Sequence, residues 1–322
     1  MQPVMSPFDA FRKEREVLTD AESLLGASSV SGLCPNAYSE LLEHYRKLLK
    51  TSDRLVRISD RSEERLKEAN HRIKRQQQKL ESEIEFAKGI QMSMVPGKGR
   101  LSLEKTDYQL YAYLHPARSV GGDLYSFQPD DDRIHFLIGD VSDKGVPAAL
   151  FMARTIALYN SALNSRLNPG EIFTTMNAHL CDGNEECMFV TALCGYFIPG
   201  EKRLAIANAG HMNPLMANQQ DHAELELPAA AALGLMEGLE FGFTEWQIDE
   251  NARLVMYTDG ISEAMDQSSA QYGERRLFEC IRKNSNATAT DLGESILADV
   301  ADFVGAAEQS DDITLLVLRA GG

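Results

Sequence analysis

Four aspartates in this chain stand where apolar stretches begin or end: Asp123, Asp140, Asp259 and Asp311. Asp123 follows Gly121-Gly122. Asp140 sits in Ile138-Gly139-Asp140-Val141-Ser142-Asp143-Lys144-Gly145. Asp259 is trailed by Gly260, and Asp311 is followed by Asp312 and the apolar run from Ile313 to Leu318. The midpoint between 123 and 140 falls in the turn cluster Pro129-Asp130-Asp131-Asp132. A hairpin turning there brings Asp123 and Asp140 opposite each other at its open end. Two bare carboxylates about 4 Å apart repel by about 4 kcal/mol at an effective dielectric near 20. A fold that juxtaposes them needs a proton or a cation between them. Ligands that offer only oxygen suit hard octahedral ions such as magnesium or manganese. No Cys or His clusters with them in sequence, which argues against zinc.

The elements that must carry these acids can be read from the apolar pattern. Strands are expected at Tyr108–Leu114, Leu124–Phe127, Arg133–Val141, Phe189–Phe197, Arg203–Ala207, Glu245–Ile248, Arg253–Thr258 and Ile313–Leu318. Helices are expected at Val146–Leu163, Pro169–Cys181, Glu274–Lys283 and Ala289–Val304. The runs Leu254-Val255-Met256-Tyr257 and Thr314-Leu315-Leu316-Val317-Leu318 are apolar on both faces, so the sheet has to be covered on both sides. Upstream, residues 1–35 are mixed and end in the breaker Gly32-Leu33-Cys34-Pro35-Asn36. From Ala37 to Met94 there is no proline and Gly89 is the single glycine, in a segment rich in strong helix formers. Leu66, Ile73, Leu80, Ala87 and Met94 recur every seven residues, with Ala69, Gln76, Glu83 and Ile90 beside them. Half of that seam is polar, so it reads as a weak or switchable coiled coil, or as a single helix lying on the next domain. Pro96-Gly97-Lys98-Gly99 ends the helix.

Composition limits the partners. The chain has 322 residues and a formal net charge of −16, a length that suits one domain of some 200 residues plus an extension. A surface this acidic repels phosphate backbones and anionic lipid, so neither nucleic acid nor membrane is expected as a partner. Lys50–Arg100 runs against the trend, with thirteen Lys/Arg against eight Asp/Glu; it reads as a solvated basic helix or a docking surface. Five cysteines without a CxxC pair fit a reducing cytosol better than a disulfide framework. No run of about 18 apolar residues occurs, and the first residues lack an apolar signal core. A cytoplasmic location is the expectation.

Read together, Glu85–Pro96 (EFAKGIQMSMVP), Pro116–Tyr125 (PARSVGGDLY), Ile138–Met152 (IGDVSDKGVPAALFM), Ala207–Leu215 (ANAGHMNPL), Leu254–Ala264 (LVMYTDGISEA) and Ser310–Leu318 (SDDITLLVL) resemble the type 2C metal-dependent protein phosphatases, in the bacterial SpoIIE/RsbU-like branch. The pieces occur in that family's order over about residues 80–320. The resemblance implies an α+β fold, an αββα sandwich over 96–322, preceded by a helical or coiled-coil regulatory and dimerisation arm over 36–95; residues 1–35 are given no role. It implies two or more manganese or magnesium ions, with Asp140 bridging, the Val141 carbonyl as a further ligand, and Asp123, Asp259 and Asp311 completing the cluster directly or through water. Asp312 stands where the family often has Asn, and Asp143 where it often has Gly. The implied chemistry is in-line attack on a phosphoserine or phosphothreonine by a water that the metals activate, with no protein nucleophile.

Arg118, near Asp123 in sequence, is a candidate grip on a phosphate oxygen or a plain surface residue, and Lys144 is open to the same two readings. His211 is expected to be structural rather than a general acid. The methionines and Trp246 are expected to be packing residues. The implied partners are a phosphoprotein substrate such as a STAS-type anti-sigma-factor antagonist, an upstream regulator acting on the helices, and a second copy of the chain. The competing reading is a catalytically silent scaffold with the same fold. A nucleotidase or nuclease is a more remote third.

Overall fold

The computed structural model describes residues 11–26, 35–105, 107–130, 132–218 and 222–321. The chain forms two compact units that divide between Glu81 and Ser82.

The first unit contains α1 (Arg12–Gly26) and most of α2 (Pro35–Met94), a helix of 60 residues whose last turns belong to the second unit. Helix α1 was not anticipated, because its charged residues mask a short apolar stripe ending in Leu24-Leu25. Ion pairs join it to α2. Arg46 pairs with Glu22, and Arg15 lies 3.6 Å from Asp53. One partner number rises as the other falls, so the two helices run antiparallel. Proline is tolerated at the first position of α2, where its missing N–H has no intrahelical partner to lose. The breaker at Gly32-Leu33-Cys34 lies outside the described residues. Leu66, Ile73 and Leu80 are 64%, 52% and 57% exposed, so one chain leaves the seven-residue seam open to solvent.

In the second unit the elements follow in the order β1 (Arg100–Glu104), β2 (Tyr108–His115), β3 (Leu124–Pro129), β4 (Ile134–Val141), α3 (Val146–Leu163), α4 (Pro169–Cys181), β5 (Val190–Ile198), β6 (Arg203–Ala209), β7 (Leu215–Ala217), β8 (His222–Glu224), β9 (Thr244–Gln247), β10 (Arg253–Tyr257), the short α5 (Asp259–Ser262), α6 (Glu274–Lys283), α7 (Ala289–Val304) and β11 (Ile313–Ala320). They build two antiparallel sheets, ordered β1-β2-β11-β10-β7-β8 and β3-β4-β5-β6-β9. Helices α3 and α4 cover the second sheet, and α6 and α7 cover the first. This is the expected αββα sandwich. The short strands β1, β7 and β8 lacked a sequence signal long enough to read.

Strand β11 shows why its sequence is apolar on both faces. Leu316 and Leu318 point into the core shared with the other sheet, while Leu315 and Val317 meet Leu277, Leu292 and Ile296 under α6 and α7. Two helix starts are fixed locally. Asn168 and Glu171 form a reciprocal capping box on α4, and Thr288 accepts the Asp291 amide on α7. Met152 and Met188 are buried in the core, and Trp246 packs against it from β9. Among the described residues, no helix is long and apolar enough to cross a membrane, and Cys181, Cys187, Cys194 and Cys280 are free thiols.

Candidate metal centre

The hairpin of β3 and β4 turns where the sequence placed it. Leu124 lies opposite Gly139, which sets Asp123 beside Asp140 at the open end, where the charge of Asp140 acts on Asp123. Asp123 is 2% exposed. One of its oxygens, Oδ2, accepts from the Thr258 hydroxyl at 2.7 Å and the Thr314 hydroxyl at 2.5 Å. Thr258 in turn accepts the Thr314 amide at 2.9 Å. Thr258 directly follows β10 and Thr314 is the second residue of β11, so the acid of one sheet is held by the strands of the other. Sequence reasoning missed both. They lie inside the runs LVMYTDGISEA and SDDITLLVL beside the more conspicuous aspartates, and their meaning appears only when the sheets face each other.

Strands β10 and β11 run antiparallel with Tyr257 opposite Leu315, which brings Asp259 at the end of one near Asp311 ahead of the other. Burial pushes the Asp123 carboxyl well above the usual range, helped by the charges of Asp140 and Asp312. Asp140 is pushed up to about 7, first by burial and next by Asp259. Asp259 is raised by burial and by Asp311 and Glu263, against a smaller opposing pull from Lys144. The four acids therefore feel one another. Among the described residues, no three acidic, His or Cys side chains are drawn tightly enough to form a finished cage. Part of the space is bridged by Lys144, whose Nζ lies 2.8 Å from Asp311 Oδ2 and donates to the Ser310 carbonyl at 3.0 Å.

Asp312 has a different environment. Its Oδ1 accepts the Ala117 amide at 2.8 Å and its Oδ2 accepts the Gly122 amide at 2.8 Å, with the Asp123 amide at 3.4 Å. The carboxylate is spent on the backbone of the loop that delivers Asp123. A Cβ on Gly121 would strike this carboxylate, and one on Gly260 would strike the Asp312 carbonyl, which is why glycine stands at both positions. The same loop is held from the other side by Gln91 of α2, which donates to the Gly121 carbonyl at 2.6 Å. Gln91 was visible in sequence only as part of IQMSMVP.

Val141 ends β4, and its carbonyl faces Gly122 across a gap that a Cβ would narrow to 2.8 Å. Asp143 has φ of 66°, the left-handed region in which Asp is among the few side chains to compete with Gly; this explains the residue in a glycine's usual place. Arg118 is exposed on the loop before Asp123 and makes no ion pair among the described residues.

His211 is buried. Its Nε2 lies 3.0 Å from the Tyr257 carbonyl, which can only accept, so Nε2 carries the proton. Its Nδ1 then accepts from the Thr191 hydroxyl at 2.9 Å. Burial lowers its pKa to about 4. A neutral imidazole with both nitrogens engaged is a brace, consistent with the structural reading.

The sequence profile described as Stage II sporulation protein E (SpoIIE) matches residues 130–321. This chain belongs to the SpoIIE family. Among curated relatives, this SpoIIE-family chain is 26% identical over 248 residues to the phosphoserine phosphatase RsbU of Bacillus subtilis, covering 76% of this chain and 71% of that protein. It is 28% identical over 269 residues to protein IcfG of Synechocystis, covering 73% of this chain but 41% of that protein. Among solved structures, the SiaA-PP2C domain of Pseudomonas aeruginosa superposes with a TM-score of 0.65 at 22% identity, covering 76% of this chain and 98% of that one. At that identity the match speaks for the fold.

Proposed function

We propose that this SpoIIE-family chain is a divalent-metal-dependent protein phosphatase that hydrolyses phosphoserine or phosphothreonine on a regulatory protein. The observation that carries the reading is the buried pair Asp123 and Asp140, set side by side across two strands and in electrostatic contact with Asp259. Buried like charges at this separation call for a counter-cation. The donor set is all oxygen and fits manganese or magnesium, two or more ions. Asp140, Asp123, Asp259, Asp311 and the Val141 carbonyl would hold them. Bound there, such ions supply an acidified water and offset charge on the phosphoryl oxygens.

The chain's own residues prepare that site. Thr258 and Thr314 fix one oxygen of Asp123 and leave the other for the pair. Asp312 and Gln91 hold the loop between them. Asp312 thus takes the role of loop anchor rather than ligand. Arg118, exposed on that loop, would meet a phosphate oxygen. His211 has no nitrogen to spare for acid–base work.

The substrate class draws support from the name of the RsbU relative, and the narrower choice of a STAS-type antagonist rests on the resemblance alone. Residues 36–94 would act as the regulatory arm in a cytoplasmic homodimer, joined along the exposed Leu66, Ile73 and Leu80 seam. An upstream partner would act on these helices.

The test is phosphate release from an aryl phosphate and a phosphoserine peptide by the full chain with manganese, beside Asp140→Asn and Asp259→Asn. Activity that needs the metal and is lost in both variants supports the proposal. Equal activity in Asp140→Asn, or none in the wild type with either ion, sinks it. Comparing 82–322 with 95–322 by rate and by mass in solution separates the arm from Gln91. A truncation to residue 82 that leaves both oligomeric state and rate unchanged removes the regulatory part.

A further inference from the structure

Beside the acids lies a cleft of about 270 Å³ that the chemistry described so far does not use. Its walls are Tyr113, Leu297, Val300, Val304 and Ile313, between the first sheet and α7. Met265, 39% exposed, lies at one side. Two of its lining residues are chain neighbours of the acids. Gly260 borders it and adjoins Asp259; Ser310 borders it and adjoins Asp311. Gln309, also in its lining, donates to the Asp311 carbonyl at 2.7 Å and the His115 carbonyl at 3.0 Å. The strip of backbone that presents Asp311 is therefore also a wall of the cleft.

We infer that this cleft is a specificity pocket for one apolar side chain, of the size of leucine or phenylalanine, flanking the phosphorylated residue of the protein substrate. The inference rests on the phosphatase reading and extends it to the substrate's sequence. Three observations commit the occupant. First, the acidic centre can recognise a phosphoryl group only through cations, and it says nothing about what surrounds that group. Second, the chain carries a net charge of −16, so its surface as a whole gives a phosphorylated segment no general attraction, and an apolar contact adds a grip that Arg118 and the cations do not supply. Third, the walls are mostly apolar side chains, and a volume of about 270 Å³ accommodates a side chain of this size. An extended segment advances about 3.3–3.6 Å per residue, so an occupant two or three residues from the phosphoserine reaches past Gly260 or Ser310 into the cleft. Methionine at the edge lets the wall adjust to either a branched or an aromatic occupant.

Burying such a side chain corresponds to roughly a tenfold to hundredfold gain in kcat/KM. The experiment uses the manganese-loaded full chain and phosphoserine peptides flanked by alanines, with leucine or phenylalanine moved through each position from −4 to +4. One position is expected to give at least a tenfold gain over the all-alanine peptide. In Ala301→Trp, which places a bulky ring at the exposed mouth of the cleft, the leucine-to-alanine ratio at that position is expected to fall to about one. Ala307→Trp is the second blocking variant if the first does not fold. A flat scan in the wild type, or a ratio unchanged in a folded blocked variant, overturns the inference. An aryl phosphate assayed alongside separates the two layers. If it is hydrolysed and the scan is flat, only the pocket fails. If it is not hydrolysed, the phosphatase reading fails, and the same peptide ratio measured as binding by fluorescence anisotropy decides the pocket.

Discussion

Lys144 reaches Asp311 with its ammonium nitrogen 2.8 Å from Oδ2, in a site built otherwise from acids. Its side chain is 39% exposed and that of Asp311 33%, so the pair is worth no more than about 1 kcal/mol after solvent screening. The lysine is a tethered cation on a carboxylate that a metal would also claim. Replacing it by Lys144→Gln is expected to tighten manganese binding by about two- to fivefold, measured by calorimetric titration of the metal-free full chain. The gain is expected to vanish in an Asp311→Asn background, where no shared carboxylate is left to free. Weaker binding in Lys144→Gln would mean that the lysine organises the site instead of competing for it.

The raised Asp140 carboxyl gives a pH signature with a definite sign. Its folded pKa of about 7 lies above its ordinary value of 3.8, so between those values the folded chain holds a proton that the unfolded chain has lost. Its contribution to the stability of the metal-free protein is therefore complete below about pH 4 and is lost as the pH rises through about 7. A metal must displace the same proton. With Asp123 raised as well, manganese affinity is expected to fall at least tenfold per pH unit below about 7. Parallel titrations at pH 6, 7 and 8 would expose the idea if affinity did not change. Asp140→Asn should flatten the apo-stability trend in thermal melts.

The sheet strands that carry the acids were legible because strands buried on both faces write continuous apolar runs, and Leu254–Tyr257 and Thr314–Leu318 do so. The Asp123–Asp140 juxtaposition followed from arithmetic about a turn, and the register bears it out. What stayed illegible depends on facing sheets. Thr258 and Thr314 look like ordinary strand ends, and the division of labour between Asp311 and Asp312 cannot be read from two adjacent identical letters. One side chain points to Lys144 and the other to backbone amides. Helix α1 was missed for another reason: its apolar stripe is short and set among charged residues.

His211 ties the second sheet to the first at the end that carries the acids. Thr191, its partner on β5, lies opposite Asp140, and Tyr257, its partner on β10, precedes Thr258 and Asp259. Removing the ring leaves the buried Tyr257 carbonyl without this partner and the Thr191 hydroxyl with only a long bond to the Asp140 carbonyl at 3.5 Å, so His211→Ala is expected to cost about 1–3 kcal/mol of stability. It is also expected to weaken manganese binding several-fold. His211→Gln can still donate to one partner and accept from the other, and should recover most of both. Because the ring is already neutral at ordinary pH, the wild type and His211→Gln should give superimposable rate profiles between pH 5.5 and 7.5. A step near pH 6.5 that disappears in the variant would restore an acid–base role to this histidine.

Asp312 separates a ligand from an anchor most sharply. If it held a metal, neutralising it would remove a charge from the cage, and Asp312→Asn would resemble Asp140→Asn. As an anchor it accepts two strong amide hydrogen bonds from Ala117 and Gly122, and Asn keeps one acceptor oxygen while its amino group faces a donor. The expected result is a loss of about 1.5–3 kcal/mol of stability with manganese binding reduced but retained, while Asp140→Asn abolishes it. Asp312→Ala, which removes both acceptors, should be worse for stability than Asp312→Asn. The same loop can be disturbed from the opposite direction. Gly121→Ala drives a methyl into the Asp312 carboxylate, and should reproduce the Asp312→Ala defect with every carboxylate still present. Calorimetric metal titrations and thermal melts of the four variants decide the matter, and complete loss of manganese binding in Asp312→Asn at unchanged stability would return Asp312 to the ligand set.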